Sequence, residues 1–458
     1  MSAVLIAGTH SGCGKTTVTL GLIAALVKKG FSVQPFKVGP DFIDTGLHTY
    51  FAKRPSRNLD LWMCGEEYIR QSFYKNASTA QISIIEGVMG LYDGIFSTAH
   101  VARLLKVPVI LVIDAYGMAE SIGALVKGFM EYSDENLIKG VILNRISSES
   151  HLRRLKKSIG ESTVIGYLPR DLQFEIPSRH LGLMVAQENP LSDKSIERLI
   201  SAVENCINIE RIFEIAKSCE VLQNSFDEKV IEPFCKIAVA YDKAFCFYYK
   251  DNFDILEKEG AQIVFFSPLN DKTLPPDIQC IYIGGGYPEL YAQALSENKE
   301  IIREIRNWID DDKPLYAECG GLIYLSKGVF DKEGKFFELL GALPFEVIMQ
   351  TKPVLGYRKV KINKKCILGN KGDSLRGHEF HYSKIKTSKA TDLCYELYNS
   401  DNVFIGIEGY RTRNLLSSYV HIHFGSNPKI GQNFIKYIGE KNGKNYNRCA
   451  RKSYERGE

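Results

Sequence analysis

The sequence lacks long hydrophobic runs and any marked excess of charge. No stretch approaches the roughly 20 apolar residues that a membrane-spanning helix needs, and residues 1–7 are too short and uncharged for a secretion signal. Lys and Arg number 58 against 54 Asp and Glu, which gives a formal charge of only +4. So slight and diffuse a charge does not indicate binding to nucleic acid or to a membrane surface.

The eleven cysteines include no C-x-x-C pair, which argues against a zinc framework and against a disulfide framework. We therefore expect a protein of the reducing cytoplasm. Hydrophobic residues make up 45% of the chain and charged residues 24%, an average usage that excludes a disordered, collagenous or coiled-coil protein. A chain of 458 residues is long enough for two or three domains that each bury a core.

Short apolar runs rich in Val and Ile alternate with helical patterns and predict strands buried in mostly parallel sheets. These runs lie at residues 4–7, 82–85, 107–113, 141–143 and 164–168, and then at 237–240, 263–266, 280–283, 315–317 and 419–424. Residues 193–235 show polar helical periodicity and predict a helical linker. We therefore predict an α/β fold with domains at residues 1–192 and 236–440 and a polar tail at 441–458.

A glycine-rich loop at residues 8–17 (GTHSGCGKTT) follows the first predicted strand and opens a helix. Its small residues let backbone N–H groups converge on phosphate oxygens, Lys15 supplies a point charge, and the Thr16 hydroxyl can bind Mg²⁺ at the helix N-terminus. Gly8 stands one position earlier than in the usual P-loop, so this loop is a long variant. The predicted ATP-binding residues are Gly12, Gly14, Lys15, Thr16, Thr17 and Asn144.

Acidic side chains follow two further strands, and Asn144 follows a later one. The acidic pairs are Asp41 with Asp44 and Glu86 with Asp93. Acids that leave a buried strand beside a phosphate site are well placed to hold Mg²⁺, although similar acids also cap turns. Asn144 and residues 169–171 lie at strand ends where a nucleotide base could be recognised, although ordinary loop polarity explains them nearly as well.

Residues 313–325 (KPLYAECGGLIYL) predict a strand, a tight turn and a helix, with Cys319 at the turn. Such an elbow exposes a nucleophile, the following glycines allow close approach of backbone, and the helix N-terminus lowers the thiol pKa. The alternative is a buried structural cysteine, against which the glycines argue. The last predicted strand presents His421 and His423 on one face, and either could serve as the base.

Three glycines at residues 284–286 end an earlier strand and predict a nest of N–H donors for the oxyanion of acyl transfer. The predicted oxyanion residues are Gly285, Gly286 and Gly320. Residues 378–381 (HEFH) lack the His-Glu-x-x-His spacing of zinc proteases. For this segment we favour a loop near a substrate over a metal site.

With these motifs the chain resembles the cobyrinic acid a,c-diamide synthase family of ATP-dependent amidotransferases. The shared segments are residues 8–17, 37–44, 86–94, 179–183, 244–249, 284–290, 317–325, 376–383 and 408–428. The resemblance implies a dethiobiotin-synthetase-like P-loop domain joined to a class I glutamine amidotransferase domain of the cobalamin type. A long phosphate loop is the form that such nucleotide domains carry.

The resemblance also implies roles for the candidate residues. Cys319 would hydrolyse glutamine as the nucleophile, with His421, in the family's Tyr-x-His, as its base. The glutamate that other class I glutaminases often have two residues later is replaced here by His423. In the first domain ATP would phosphorylate carboxylates a and c of a tetrapyrrole, and ammonia would attack each acyl phosphate. The implied metal ligands are Thr16, Asp41 and Glu86, and the residues implied to handle substrate or intermediate are Asp44 and Asp93.

Other interpretations share these motifs. The a,c-diamidation of Ni-sirohydrochlorin uses the same ATP and glutamine chemistry, whereas cobyric acid synthase fits less well at residues 37–44. A P-loop switch without enzymatic activity is disfavoured by Cys319 and His421. We expect ATP, glutamine and a polycarboxylate tetrapyrrole as small-molecule partners, with no nucleic acid and no membrane. A homodimer is left open.

Overall fold

The computed structural model describes residues 2–133, 135–170, 178–179, 182–183, 185–188, 191–219, 231–386 and 392–443. The chain divides into two units, Met1–Asp227 and Glu228–Glu458. Asp171, most of the predicted tail and part of the shared segment at 179–183 lie outside the described residues. No helix within the described ranges is long and apolar enough to cross a membrane.

The first unit is built on a seven-stranded parallel sheet with the order β3-β2-β4-β1-β5-β6-β7. Its strands are β1 (Ala3–Gly8), β2 (Val33–Val38), β3 (Arg57–Leu59), β4 (Ile82–Glu86), β5 (Val109–Asp114), β6 (Ile138–Ile146) and β7 (Val164–Pro169). A separate pair, β8 (Ser178–Arg179) and β9 (Gly182–Leu183), is antiparallel. The carboxyl ends of the parallel strands meet at one edge, where ligand loops belong.

Helices cover both faces of this sheet, which explains why its strands read as continuous apolar runs. They are α1 (Lys15–Lys28), α2 (Ile43–Ala52), α3 (Leu61–Ala77), α4 (Thr98–Leu105), α5 (Ile122–Glu131), α6 (Glu149–Ile159), α7 (Asp193–Cys206) and α8 (Ile209–Ala216). Along β1, Leu5 packs into one core, and its neighbours Val4 and Ile6 pack into the other. Side chains alternate along a strand, so a strand covered on both faces needs apolar residues at every position.

The segment at residues 193–235, which we expect to be a linker, begins with two helices that belong to the first unit. Helix α7 packs on α1 and β7, and α8 packs near β1. Leu199, Val203 and Ile212 from these helices are buried in the same core as α1. The periodicity is therefore that of an amphipathic pair covering the sheet, since its apolar stripe needs a face to bury.

The second unit has a twelve-stranded sheet whose parallel part has the order β11-β10-β12-β13-β20. Its strands are β10 (Cys235–Ala240), β11 (Ala261–Phe266), β12 (Cys280–Ile283), β13 (Leu315–Glu318), β14 (Gly328–Phe330), β15 (Phe336–Glu338), β16 (Val347–Ile362), β17 (Ser374–Ile385), β18 (Leu393–Tyr398), β19 (Phe404–Thr412), β20 (Leu415–Ser418) and β21 (His421–Ile422). Its helices are α9 (Lys250–Lys258), α10 (Ala292–Glu297), α11 (Lys299–Asp310), α12 (Gly320–Leu325) and α13 (Ile430–Lys441). The predicted α/β class is confirmed in both units.

The strands from β14 to β19 are missing from the predicted set, as is the three-residue strand β3 of the first unit. Most of their pairings are antiparallel, and β16 alone runs for 16 residues with many exposed positions. Residues 378–381, predicted as a loop, lie within β17, so that prediction is wrong. Strands with one solvated face carry Lys, Arg and Gly among their apolar residues, and the search for continuous apolar runs passes over them.

The predicted strand at residues 419–424 is also wrong, because only His421 and Ile422 of that range form a strand. Strand β20 continues the parallel sheet and ends at Ser418, while β21 pairs with β17 through His421 opposite His378. The Ser418 hydroxyl accepts a hydrogen bond from the Val420 N–H, 3.0 Å away, in the break between them. His423 lies beyond β21, so the two histidines do not share one strand.

We predict that Leu199→Ala lowers the free energy of unfolding of the first unit by about 2–5 kcal/mol, because it opens a cavity in a filled core. Ser201→Ala, at an exposed position of the same helix, should change it by less than about 0.5 kcal/mol. Urea unfolding followed by circular dichroism measures both. Equal stability of the two variants would show that α7 is a loosely attached linker.

Candidate active sites

The phosphate loop joins β1 to the N-terminus of α1 through a left-handed turn. Gly14, directly before the helix, has φ of 98°, and a Cβ there would lie 1.9 Å from Asn144 Nδ2. Only glycine combines this conformation with this close approach. The first turn of α1 carries no acidic residue, so its N–H groups and the positive end of the helix dipole face the loop.

Lys15 folds back over the phosphate loop. Its Nζ donates to the backbone oxygens of Met89 at 2.6 Å and His10 at 3.1 Å. Burial lowers the pKa of the Lys15 ammonium, although nearby acidic groups act in the opposite direction. An ammonium hydrogen-bonded to neutral carbonyls at a phosphate loop is placed where an anion such as a phosphate would be attracted.

Thr16 and Glu86, two of the predicted metal ligands, are in direct contact. The Thr16 hydroxyl donates to Glu86 Oε1 at 2.7 Å, and Glu86 is the fully buried last residue of β4. Asp41, the third predicted ligand, accepts a hydrogen bond from the Asp44 N–H at 2.7 Å at the start of α2. Hydroxyl and carboxylate oxygens at a phosphate loop are the hard donors that suit Mg²⁺.

Two residues that our sequence analysis missed complete a buried ionic cluster around Glu86. Lys37 Nζ lies 2.9 Å from Glu86 Oε1 and 2.6 Å from Asp44 Oδ2, and His48 Nε2 lies 2.6 Å from Glu86 Oε2. Burial disfavours the Lys37 ammonium, but Asp44 and Glu86 hold its pKa above the usual range. Two signals were available: a lysine inside an apolar strand, and the spacing of four residues that places Asp44 and His48 on one face of α2.

Three predicted residues hold the loops in place by contacts within the protein. Asn144 Nδ2 donates to the Cys13 backbone oxygen at 3.1 Å, so its amide supports the phosphate loop. Asp93 Oδ2 accepts the Gly90 N–H at 2.8 Å and closes a turn. Asp44 belongs to the cluster around Glu86. Contact of Asn144, Asp44 or Asp93 with a ligand stays a prediction.

In the second unit Cys319 occupies a strained elbow between β13 and α12. Its φ of 46° and ψ of −99° are rare for a residue with a side chain and cost on the order of 1–3 kcal/mol. The backbone is held there by a 2.7 Å hydrogen bond from the Cys319 N–H to the Ser418 carbonyl oxygen. Cys319 is 3% exposed, and its thiol lies 3.8 Å from the Phe380 carbonyl oxygen.

The glycine loop at residues 284–286 lies between this elbow and His421. A Cβ on Gly320 would lie 2.9 Å from the Gly286 nitrogen, and a Cβ on Gly285 would lie 2.2 Å from His421 Cε1. Side chains at these positions would therefore fill the space between the thiol and the imidazole. The N–H of Gly285, predicted as an oxyanion donor, already donates to the Phe247 carbonyl oxygen at 3.3 Å. The N–H groups of Gly286 and Gly320 are therefore the better candidates.

The geometry separates the two candidate bases. His421 is buried on β21, faces the glycine loop, and stacks on His378 with 5.4 Å between ring centroids. His423 Nδ1 instead accepts the Gly425 N–H at 3.1 Å, and its ring packs on Tyr249. The contacts of His423 are those of a structural histidine that caps a short helical turn.

The expectation of a low thiol pKa is wrong for the protein without bound ligand. Burial raises the pKa of Cys319 well above its usual value, and Glu289 and Glu379 raise it further, although the Gly320 N–H acts in the opposite direction. Burial likewise lowers the pKa of His421 well below its usual value, and His378 and His381 lower it further. Helix α12 has only six residues, so its dipole is weak beside the cost of burying a thiolate.

The HEFH segment forms a second ionic cluster beside the thiol. Glu379 is bonded on one oxygen by His381 Nε2 at 2.8 Å and on the other by Arg358 Nε at 2.5 Å. His381 stacks on Tyr419 with 3.8 Å between ring centroids. Over the part of the chain that the structure describes, no group of three or more His, Cys, Asp and Glu residues is arranged to hold a metal.

The two sites define a protein that combines a P-loop nucleotide-binding unit with a glutamine amidotransferase unit. Residues 4–183 match the CobQ/CobB/MinD/ParA nucleotide binding domain, and residues 236–429 match the CobB/CobQ-like glutamine amidotransferase domain. The predicted pairing of a nucleotide domain with an amidotransferase domain is therefore confirmed.

Curated relatives extend this match over nearly the full length. A cobyrinate a,c-diamide synthase of Caldanaerobacter subterraneus subsp. tengcongensis is 46% identical over 92% of this chain and 94% of its own. A cobyrinate a,c-diamide synthase of Syntrophotalea carbinolica is 41% identical over 95% of this chain and 98% of its own. The chain belongs to the cobyrinate a,c-diamide synthase family, as predicted.

We predict that iodoacetamide alkylates Cys319 slowly near neutral pH in the absence of glutamine. The thiolate is the reactive form, and its raised pKa means that the rate should keep rising between about pH 6 and pH 9. Mass spectrometry of the peptide that contains Cys319 measures the rate, and Cys319→Ala supplies the blank. A rate that reaches a plateau by about pH 7 would contradict a neutral resting thiol.

Proposed function

We propose that this protein amidates carboxylates a and c of cobyrinic acid in cobalamin biosynthesis, with glutamine as nitrogen donor and ATP as activating reagent. The observation that carries the proposal is that one chain contains both a phosphate loop and a strained cysteine elbow. Full-length similarity to cobyrinate a,c-diamide synthases supports the choice of substrate. The reaction class is that of a glutamine-hydrolysing ligase.

In the amidotransferase unit, Cys319 attacks the carboxamide carbon of glutamine. Because thiol and imidazole are both neutral at rest, His421 takes the thiol proton as the bond forms and delivers it to the departing ammonia. The N–H groups of Gly286 and Gly320 stabilise the negative oxygen. Water then attacks the thioester carbonyl, which releases glutamate and regenerates the thiol.

In the nucleotide unit, a substrate carboxylate attacks the γ-phosphorus of ATP and ADP leaves. Lys15 and the N–H groups at the start of α1 bind the phosphates and offset their charge. Ammonia then attacks the acyl phosphate carbon and displaces inorganic phosphate, which leaves the amide. Two rounds give the diamide.

The adjacent oxygens of Thr16 and Glu86 fit Mg²⁺, which when bound offsets phosphate charge during transfer. We propose Thr16 and Glu86 as its ligands, with Asp41 near the same edge of the sheet. Lys37 and His48 keep the Glu86 carboxylate ionised at that point. The homodimer and the cytoplasmic location stay predictions.

Replacement of the nucleophile should separate the two half-reactions. We expect Cys319→Ala to lower glutamine-dependent amidation by roughly 10⁴-fold or more and to leave ammonium-dependent amidation unchanged. Cys280→Ala, at a buried cysteine of β12, is the matched control and should retain both activities. Glutamine-dependent activity in Cys319→Ala would remove Cys319 from the nucleophile role.

Replacement of the phosphate-binding lysine should affect both nitrogen sources equally. We expect Lys15→Ala to lower amidation with glutamine and with ammonium by about 10²-fold or more, because both need the acyl phosphate. Lys28→Ala, at an exposed position of the same helix, is the matched control. Diamide formation by Lys15→Ala at the wild-type rate would contradict the acyl phosphate route.

The substrate is tested by offering cobyrinic acid and Ni-sirohydrochlorin side by side with ATP and glutamine. We expect mass spectrometry to show two successive amidations of cobyrinic acid. Preferential amidation of Ni-sirohydrochlorin would replace the proposed substrate and keep the reaction. Release of ammonia from glutamine without formation of an amide of either tetrapyrrole would contradict the proposal.

A further inference from the structure

The residue directly before the nucleophile is a buried carboxylate with a complete set of donors. Glu318 ends β13 and is 1% exposed. Its Oε1 accepts the Tyr316 hydroxyl at 2.6 Å and the Ile422 N–H at 2.9 Å. Its Oε2 accepts the Tyr282 hydroxyl at 2.9 Å. Every one of these donors is neutral.

The bond to Ile422 fixes the main chain next to His421. On the opposite side, the Ile422 carbonyl oxygen accepts Asn252 Nδ2 at 2.8 Å. Asn252 Oδ1 in turn accepts the Phe424 N–H at 2.8 Å. Strand β21 has only two residues, so the bonds from Glu318 and Asn252 supply order that such a short strand cannot supply itself.

Stability alone does not explain an acid at position 318. A buried carboxylate that meets neutral donors pays a desolvation penalty that no cation offsets. An apolar side chain with phenylalanines in place of the two tyrosines would fill the same space without that penalty. Glu318 does connect the two reacting residues. It precedes Cys319 in the chain, and its side chain binds the backbone N–H of Ile422, the residue after His421.

The position two residues after His421 cannot provide this link. It holds His423, whose Nδ1 is engaged by the Gly425 N–H. We propose that Glu318 is the positioning residue of the glutaminase site and holds His421 in register with Cys319 through the Ile422 N–H. This inference rests on the proposed roles of Cys319 and His421.

The test uses a background in which Glu318 can be exchanged without stranding hydroxyl groups. Tyr282→Phe with Tyr316→Phe removes the two hydroxyl donors and leaves the Ile422 bond. In that background Glu318→Met removes the acceptor at nearly constant length, and Glu318→Gln restores a carbonyl oxygen to accept from Ile422. Full-length variants are compared by glutaminase kcat, by KM for glutamine and by ammonium-dependent amidation.

We expect the phenylalanine background to retain glutaminase kcat. Adding Glu318→Met should lower kcat by about 10²-fold with KM nearly unchanged, since a displaced base impairs the step after binding. Glu318→Gln should recover most of that loss. Ammonium-dependent amidation, which uses the other unit, should stay constant in all variants.

Three results would overturn the inference: a Glu318→Met variant with the kcat of its background, a loss confined to KM, or no recovery with Glu318→Gln. Thermal melts of each variant identify any loss of kcat that is caused by unfolding. If Glu318→Met unfolds, the kcat of Glu318→Gln compared with that of the background tests the inference. If the wild-type protein has no more glutaminase activity than Cys319→Ala, the proposed function itself has failed.

Discussion

The fully buried carboxylate of Glu86 is the interaction on which the nucleotide site depends. It ends a central parallel strand and receives Thr16 from α1, Lys37 from β2 and His48 from α2. One side chain therefore ties the phosphate-binding helix to two neighbouring elements. A carboxylate without these donors would be too costly to bury, so the site and the local fold depend on the same contacts.

Local sequence patterns were sufficient to predict the strands and helices that flank the phosphate loop and the cysteine elbow. Most strands of the parallel sheets are apolar on both faces, and several end at glycine-rich turns, so the pattern shows in short windows of sequence. Strand β3 is short and polar and lacks this pattern. The exposed antiparallel strands β16 to β19 have no such pattern. The break after Ser418 also escaped prediction, because β21 is defined by its pairing with β17, a strand more than 30 residues away.

The residues of the candidate sites likewise divide into those that a local motif predicts and those that only the fold brings together. Lys15, Thr16 and Cys319 belong to contiguous motifs whose chemistry follows from their spacing. Lys37 and His48 act through Glu86, which is 49 and 38 residues away in the chain, so only the fold brings them together. The pKa of Cys319 could not be predicted from the motif either, because burial outweighs the short helix behind it.

Glu318 ends a central parallel strand as Glu86 does, yet the two carboxylates have opposite electrostatic settings. Lys37 and His48 hold the pKa of Glu86 below its usual range against the effect of burial, so it stays an anion. Burial raises the pKa of Glu318 to about 7, although its three neutral donors act in the opposite direction. A permanent anion suits a site that handles phosphate with a cation. The Glu318 carboxylate raises the pKa of Cys319, as Glu289 and Glu379 do, and neutralisation of Glu318 weakens this effect at a site where both reacting groups begin uncharged.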